Sequence, residues 1–296
     1  MKILKGFALA VLGIVLFLSI SIFGTVFLLD NTVFKADFMT SNLNKLDISA
    51  VVTEEMSKQV PPDFQSMMPA VDEIISDAEP WIKQQAALAI KTGYDYLQGR
   101  SPHLNIVVDL NPVIEKIKPA LSDAIILQLP PEVKQLPTAQ MEQYVEQYYQ
   151  QLVQQIPTSL SVNENNIPPD LRAIFDPVRQ GFIYYQITYW GLVGLMVLLT
   201  LLIILIHRSV RGETRILGII FLVYGAIQYA GLYALKAIGL PQLPLSDMPS
   251  AVQAWLPQFL REVVYPLELY SLGFLIAGII LLVVSFVYPK REEEMV

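Results

Sequence analysis

The sequence predicts an all-α integral membrane protein with four transmembrane helices and a mainly helical extracytoplasmic domain inserted between the first two. The first observation is composition: 53% of the 296 residues are apolar and 16% are charged, against about a quarter charged in soluble domains. The second is that apolar residues concentrate in four uncharged runs, at 7–29, 181–206, 216–235 and 269–289. The third is that residues 30–180 hold 20 of the 27 acidic residues and 11 of the 20 basic ones.

Each of the four runs is long enough to cross a bilayer as a helix, which takes about 20 residues. The first run has a second interpretation, a cleaved signal peptide. Its 23 residues exceed the usual apolar core of a signal peptide, and no Ala-x-Ala-like site follows Leu29. An uncleaved membrane anchor is therefore favoured.

Basic residues predict the orientation of the four spans, because short cytoplasmic segments are enriched in lysine and arginine. Lys2 and Lys5 precede the first span, three arginines lie in 207–215, and Lys290 and Arg291 follow the last span. We therefore expect a cell-membrane protein with both termini cytoplasmic, organised as 1–29 (N-terminus and span one), 30–180 (outside), 181–206 (span two), 207–215 (cytoplasmic loop), 216–235 (span three), 236–268 (small outer segment), 269–289 (span four) and 290–296 (cytoplasmic tail). An interfacial aromatic belt is predicted at the outer end of span two, from Tyr184, Tyr185, Tyr189 and Trp190.

The acidity of the protein belongs to the large predicted domain. Residues 30–180 carry a net charge of −9 and the remainder, with 7 acidic and 9 basic residues, carries +2. Such a surface makes nucleic acid an improbable partner. It is interpreted as a solvated domain surface, with a weak divalent-cation surface as the alternative, although no D-x-D-x-D-G loop is present. The absence of N-x-Ser/Thr sequons favours a prokaryotic source.

Helical periodicity dominates this domain. Helices are predicted over 48–59, over 68–78, from Pro80 to a stop at Gly99, after Asn111-Pro112, and from Thr138. Only 104–110 alternates in the manner of a strand, either as extended chain on a helical core or paired with a partner. One continuous helix is predicted from 178 to 206, and a short amphipathic helix over 250–256.

No pattern of catalytic or cofactor-binding residues is visible, and neither a cofactor nor a metal site is predicted. The chain has no cysteine, and its two histidines are predicted on opposite sides of the membrane. Phosphate-binding, dinucleotide and hydrolase motifs are missing. The densest acidic stretch, Asp72 to Glu79, is interpreted as the surface of a helix rather than a catalytic carboxylate pair.

Within the spans, one polar side chain and two kinds of small residue are candidates for contacts. Gln228 is the deepest strongly polar group, and an interhelical hydrogen bond is favoured over a role in a pore. Small residues permit close helix packing, either inside the bundle or with a partner's span. The candidates are Gly273 and Ala277 in span four, Ala226 and Ala230 in span three, and Gly191 and Gly194 in span two.

These features favour a non-enzymatic multi-pass membrane protein that acts by binding. It would be a scaffold, an accessory subunit or an extracytoplasmic sensor in a membrane assembly, with the lipid bilayer and a membrane protein or a second copy of the chain as partners. Two alternatives remain open: a channel or transport component, and a membrane-associated hydrolase that uses carboxylates of the outer domain.

Overall fold

The computed structural model describes residues 2–59, 68–129, 133, 137–154, 157–163, 166, 169–207 and 209–287. Its elements in chain order are α1 (Lys2–Asn31), α2 (Ala36–Lys45), α3 (Ile48–Gln59), α4 (Met68–Leu97), β1 (Asn105–Asp109), α5 (Asn111–Gln128), α6 (Thr138–Val153), β2 (Ser159–Asn163), α7 (Pro169–His207), α8 (Val210–Ala234) and α9 (Ser250–Val287). A π-helical turn (Leu235–Gly239) and a 3-10 turn (Leu240–Gln242) follow α8. The predicted tail 290–296 and Arg208 of the predicted cytoplasmic loop lie outside the described residues.

The chain divides into two compact units, and the first comprises 1–38, 180–245 and 256–296. The described residues include four helices that are long and apolar enough to cross a membrane, and most of each lies in this first unit. These stretches are Ile3–Asn31, Pro177–Ile206, Val210–Gln242 and Ser250–Val287. The four predicted spans are therefore confirmed as apolar helices of sufficient length. Their shared core has its most buried side chains at Leu16, Ile20, Ile203 and Tyr224.

Helices α8 and α9 approach each other backbone to backbone, and glycine makes this possible. A Cβ added to Gly225 would lie 2.5 Å from the backbone nitrogen of Leu275 and 2.7 Å from the backbone oxygen of Ser271. A Cβ added to Gly278 would meet the backbone nitrogen of Leu222. Real Cβ atoms do not come this close, so neither position accepts a side chain without displacing a helix.

Prolines lie inside three helices that were predicted to start at or after them. Helix α4 runs through Pro80, so the two predicted segments 68–78 and Pro80 onward form one helix. Helix α7 starts at Pro169 and passes Pro177, and α9 passes Pro257 and Pro266. The predicted separate helix at 250–256 is thus wrong: it is the first part of α9. An interior proline removes one backbone hydrogen bond, yet each of these helices continues through it.

Glu268 forms an ion pair with a separate helical segment rather than with Arg261, the basic residue two turns earlier on the same helix. The Lys236 ammonium donates to the Glu268 carboxylate and joins the π-helical turn after α8 to α9. The pairing between helices depends on tertiary contact, which the spacing along one helix does not reveal.

The second unit comprises 39–179 and 246–255 and is built from helix pairs and a small sheet. The backbone N–H of Ile48 at the start of α3 donates to Glu79 Oε1 on α4 at 3.2 Å, and Glu79 also pairs with Lys83 at 2.7 Å. Helices α5 and α6 share a core of buried side chains, namely Ile125, Leu129, Val145 and Tyr149. Strand β1 pairs antiparallel with β2. The predicted strand at 104–110 is therefore confirmed as paired, and the fold is mainly helical rather than purely α.

Candidate functional site

The candidate site is a two-stranded ribbon, β1 with β2, in the second unit. The chain enters it through a tight reversal at the end of α4. Gly99 has φ +73°, a left-handed conformation that glycine adopts without a steric penalty. The N–H of Gly99 donates to the Tyr96 carbonyl at 3.0 Å, and the N–H of Ser101 donates to the Asp95 carbonyl at 2.9 Å. These bonds satisfy the last helical carbonyls, and they confirm the predicted stop at Gly99.

The register of the ribbon places four apolar side chains on one face. Ile106 lies opposite Val162 and Val108 lies opposite Leu160. Successive residues of a strand point to opposite faces, so the other face carries Asn105, Val107, Asp109, Ser159, Ser161 and Asn163. The ribbon is thus amphipathic.

Only the β1 half of this apolar face is covered. Ile106 packs on a small core of Tyr96 and Leu104, and Leu104 is almost fully buried. On β2, Leu160 and Val162 remain 50% and 43% exposed. Two strands alone are marginally stable in water, so the ribbon depends on its β1 contacts and leaves an apolar strip on β2 open.

Tyr96 anchors the covered half. The Arg179 guanidinium lies 4.5 Å from the centroid of the Tyr96 ring, a cation–π contact. Tyr96 itself is buried. Tyr96 thus links the core beneath β1 to Arg179 on α7.

Helices α5 and α6 provide a second exposed aromatic feature. Tyr144 and Tyr148 stack with centroids 5.9 Å apart on the exposed side of α6. On the other side of α6, the Tyr149 hydroxyl donates to the Ile114 carbonyl at 3.1 Å. Hydrogen bonds from Gln150 and Lys118 lower the pKa of Glu146.

The acidic stretch of α4 connects helices. Asp72 accepts a hydrogen bond from the Thr53 hydroxyl, and Glu79 accepts the bonds from Lys83 and Ile48. Burial raises the pKa of Glu79, but hydrogen bonds from Lys83, Ser49 and Ile48 outweigh it and hold that pKa below its usual range. A carboxyl held ionised in this way is suited to a structural contact. Within the described ranges, no group of three or more His, Asp or Glu residues is placed to hold a metal ion.

The predicted contacts within the spans lie mainly at the surface of the first unit. Gln228 is half-buried on α8, and its side chain makes no hydrogen bond to another described residue. A Cβ added to Gly191, Gly194 or Gly273 would meet nothing within 4 Å. Ala226 and Ala230 are exposed, and Ala277 is half-buried. Their role in helix packing, within the bundle or with a partner's span, stays a prediction.

In the predicted aromatic belt, Tyr184 and Trp190 are exposed, while Tyr185 and Tyr189 turn inward. Tyr185 packs edge-on against Phe34 at 4.7 Å, and Tyr189 packs against Phe23 at 5.1 Å between ring centroids. Only part of the belt is therefore available to the membrane interface.

Sequence reasoning missed the glycines and serines that do pack within the bundle. On α9 these are Ser271, Gly278 and Ser285, all buried, and on α8 they are Gly218 and Gly225. Both sets repeat every seven residues, the spacing that keeps one stripe facing a partner helix. The signal in the sequence was thus the repeat of small residues every seven positions, whereas the predicted packing residues lie three or four positions apart.

Fold and site together define a multi-pass membrane protein with a separate, mainly helical unit. Comparison with known proteins adds no family: no family profile, curated protein or solved structure matches this chain.

Proposed function

We propose that this protein acts by binding other proteins, as a scaffold, accessory subunit or sensor in a membrane assembly, with residues 30–180 and 236–268 outside the cytoplasm. The observation that carries the proposal is the open apolar strip of Leu160 and Val162 on β2. An extended segment of a partner adds alongside such a strand, through backbone hydrogen bonds and alternate side-chain contacts. The described part of the chain supplies no third strand for this edge.

The exposed fractions of Leu160 and Val162 set the size of the affinity that this strip can contribute to binding. Burying the exposed half of each side chain contributes about 1 kcal/mol, and two such contributions correspond to about a thirtyfold change in affinity.

The first prediction concerns this strip. In the double variant L160D/V162D, the amount of partner protein that co-purifies from native membranes in mild detergent is expected to fall at least about tenfold. The reason is that two charges would be buried at the contact. S161D is the matched control, since it places a charge on the opposite face of the same strand. Quantitative cross-linking followed by mass spectrometry measures both. Equal losses in the two variants, or a wild-type chain without any cross-linked partner, would contradict binding through the ribbon.

The second prediction concerns topology. The chain has no cysteine, so a single introduced cysteine reports its own location without background. In intact cells, a membrane-impermeant maleimide is expected to label T158C, beside β2, and to label S209C, between α7 and α8, only after permeabilisation. Thr158 and Ser209 are both exposed. The reverse labelling pattern would overturn the proposed orientation while leaving the ribbon test intact.

A further inference from the structure

We infer that the first unit holds one anionic phospholipid from the leaflet at the N-terminal ends of α1 and α8, with an acyl chain in a groove and its phosphate on Lys5, Arg211 and Arg215. The groove, of about 420 Å³, lies between α1 and α8. This volume falls in the ~300–1,000 Å³ range of small-molecule sites. The inference does not depend on the ribbon or on its partner.

The shape and chemistry of the groove fit an acyl chain. The walls of the groove are apolar throughout, and they include Ala10, Gly13, Phe17, Ile216, Ile220 and Val223. On α1 it extends from Leu9 to Leu18, a length of about 15 Å at 1.5 Å per residue. The hydrocarbon core of a bilayer is about 30 Å thick. The groove therefore spans one leaflet, which is the reach of one acyl chain.

Helices α1 and α8 run side by side in the same direction. A Cβ added to Gly13 would lie 3.3 Å from Ile220 Cδ1, and the rings of Phe17 and Tyr224 meet at 5.9 Å. In both pairs the residue on α8 is 207 positions after the residue on α1. The helices are thus parallel and in constant register, and the same offset places Lys5 level with Gly212.

Three basic residues give the mouth of the groove a positive charge. Lys5 lies one helical turn before Leu9, and Arg215 immediately precedes Ile216. Arg211 lies one turn further out on α8. Lys5 and Arg215 are exposed and Arg211 is half-buried. No salt bridge to these three cations occurs within the described part of the chain.

One carboxylate, Glu213, lies in the first turn of α8. The three cations and Glu213 therefore leave a net charge of +2 beside an apolar groove. An anionic headgroup complements that charge and an acyl chain complements the groove. A single phospholipid supplies both, whereas free phosphate supplies only the first and a zwitterionic lipid mainly the second. Each basic residue near a membrane surface contributes about 1 kcal/mol toward anionic lipid, which is about fivefold in affinity.

The test uses the purified full-length chain in detergent, with native mass spectrometry and thermal unfolding as readouts. The probes are dioleoyl phosphatidylglycerol, dioleoyl phosphatidylcholine and inorganic phosphate. We expect phosphatidylglycerol to be retained at one molecule per chain and to raise the unfolding temperature, and the other two probes to do neither. Equal retention of the two lipids, or an equal effect of inorganic phosphate, would overturn the inference using wild-type protein alone.

Two pairs of variants separate the headgroup from the chain. R211Q/R215Q is expected to weaken retention of phosphatidylglycerol about 25-fold, while R261Q, which removes an exposed cation of α9 outside the groove, leaves it unchanged. A10F fills the groove and is expected to abolish retention, while A230F, on an exposed surface of α8 outside it, does not. Unchanged retention in A10F would show that the groove is not the site.

Discussion

Replacing Gly278 with alanine is expected to destabilise the protein, while the same replacement at Gly273, five residues earlier on α9, is expected to stabilise it slightly. At Gly278 the new methyl group would meet the backbone nitrogen of Leu222 and lie 2.9 Å from the backbone oxygen of Gly218. Both neighbours are backbone atoms, so they yield only if α8 moves as a whole. Overpacking of this kind costs about 1–3 kcal/mol.

Gly273 provides the matched control because nothing lies within 4 Å of the position of its missing Cβ. Alanine there avoids the entropic cost of glycine in a helix, worth about 0.5–1 kcal/mol. Each variant adds one methyl group to the same helix, so opposite shifts in the unfolding temperature in detergent test the contact itself. Shifts of the same sign and size would contradict the packing of α8 and α9 through Gly278.

Removing either partner of the Lys236–Glu268 ion pair is expected to destabilise the protein by about 1–3 kcal/mol, and removing both by less than the sum of the two. The two side chains are only 24% and 26% exposed, so the remaining charge of a single variant is poorly solvated. The measurement is a double-mutant cycle of K236A, E268A and the double variant, using the free energy of unfolding.

The control is a second ion pair with higher exposure. Lys118 and Glu146, at 3.0 Å, have side chains 44% and 48% exposed, and pairs of this kind contribute about 0.2–1 kcal/mol. A coupling energy for Lys236 and Glu268 that is no larger than the one for Lys118 and Glu146 would contradict a structural role for the ion pair that joins the π-helical turn to α9.

Several elements could be predicted from local patterns because their causes are local. The four apolar runs predict helices of membrane-spanning length, since an uncharged run of this length has few alternatives. The alternation at 104–110 predicts a strand, and Gly99 predicts the end of a helix through its conformational freedom. Thr138 is the start of α6 in both the prediction and the structure.

Other features escaped prediction because their causes lie between elements. Pro80, Pro257 and Pro266 read locally as helix breakers, but each lies inside a continuous helix. The partner of β1 begins 50 residues away. Residues 159–163 alternate polar and apolar side chains over only five positions, and this short pattern does not identify them as the partner. Gln228 looked like the central polar contact of the spans, yet its surroundings in the fold supply no hydrogen bond from another described residue.

By itself, the sequence determined where the apolar helices lie and that the acidity belongs to residues 30–180, because hydropathy and charge are sums over neighbouring residues. Only the tertiary structure decided which glycines are indispensable. Gly273 and Gly278 are indistinguishable by residue type and lie on the same helix, but only Gly278 faces the backbone of α8. The tertiary structure also decided that Leu160 and Val162 stay open and that α1 and α8 line one groove, since each depends on which distant segment arrives opposite.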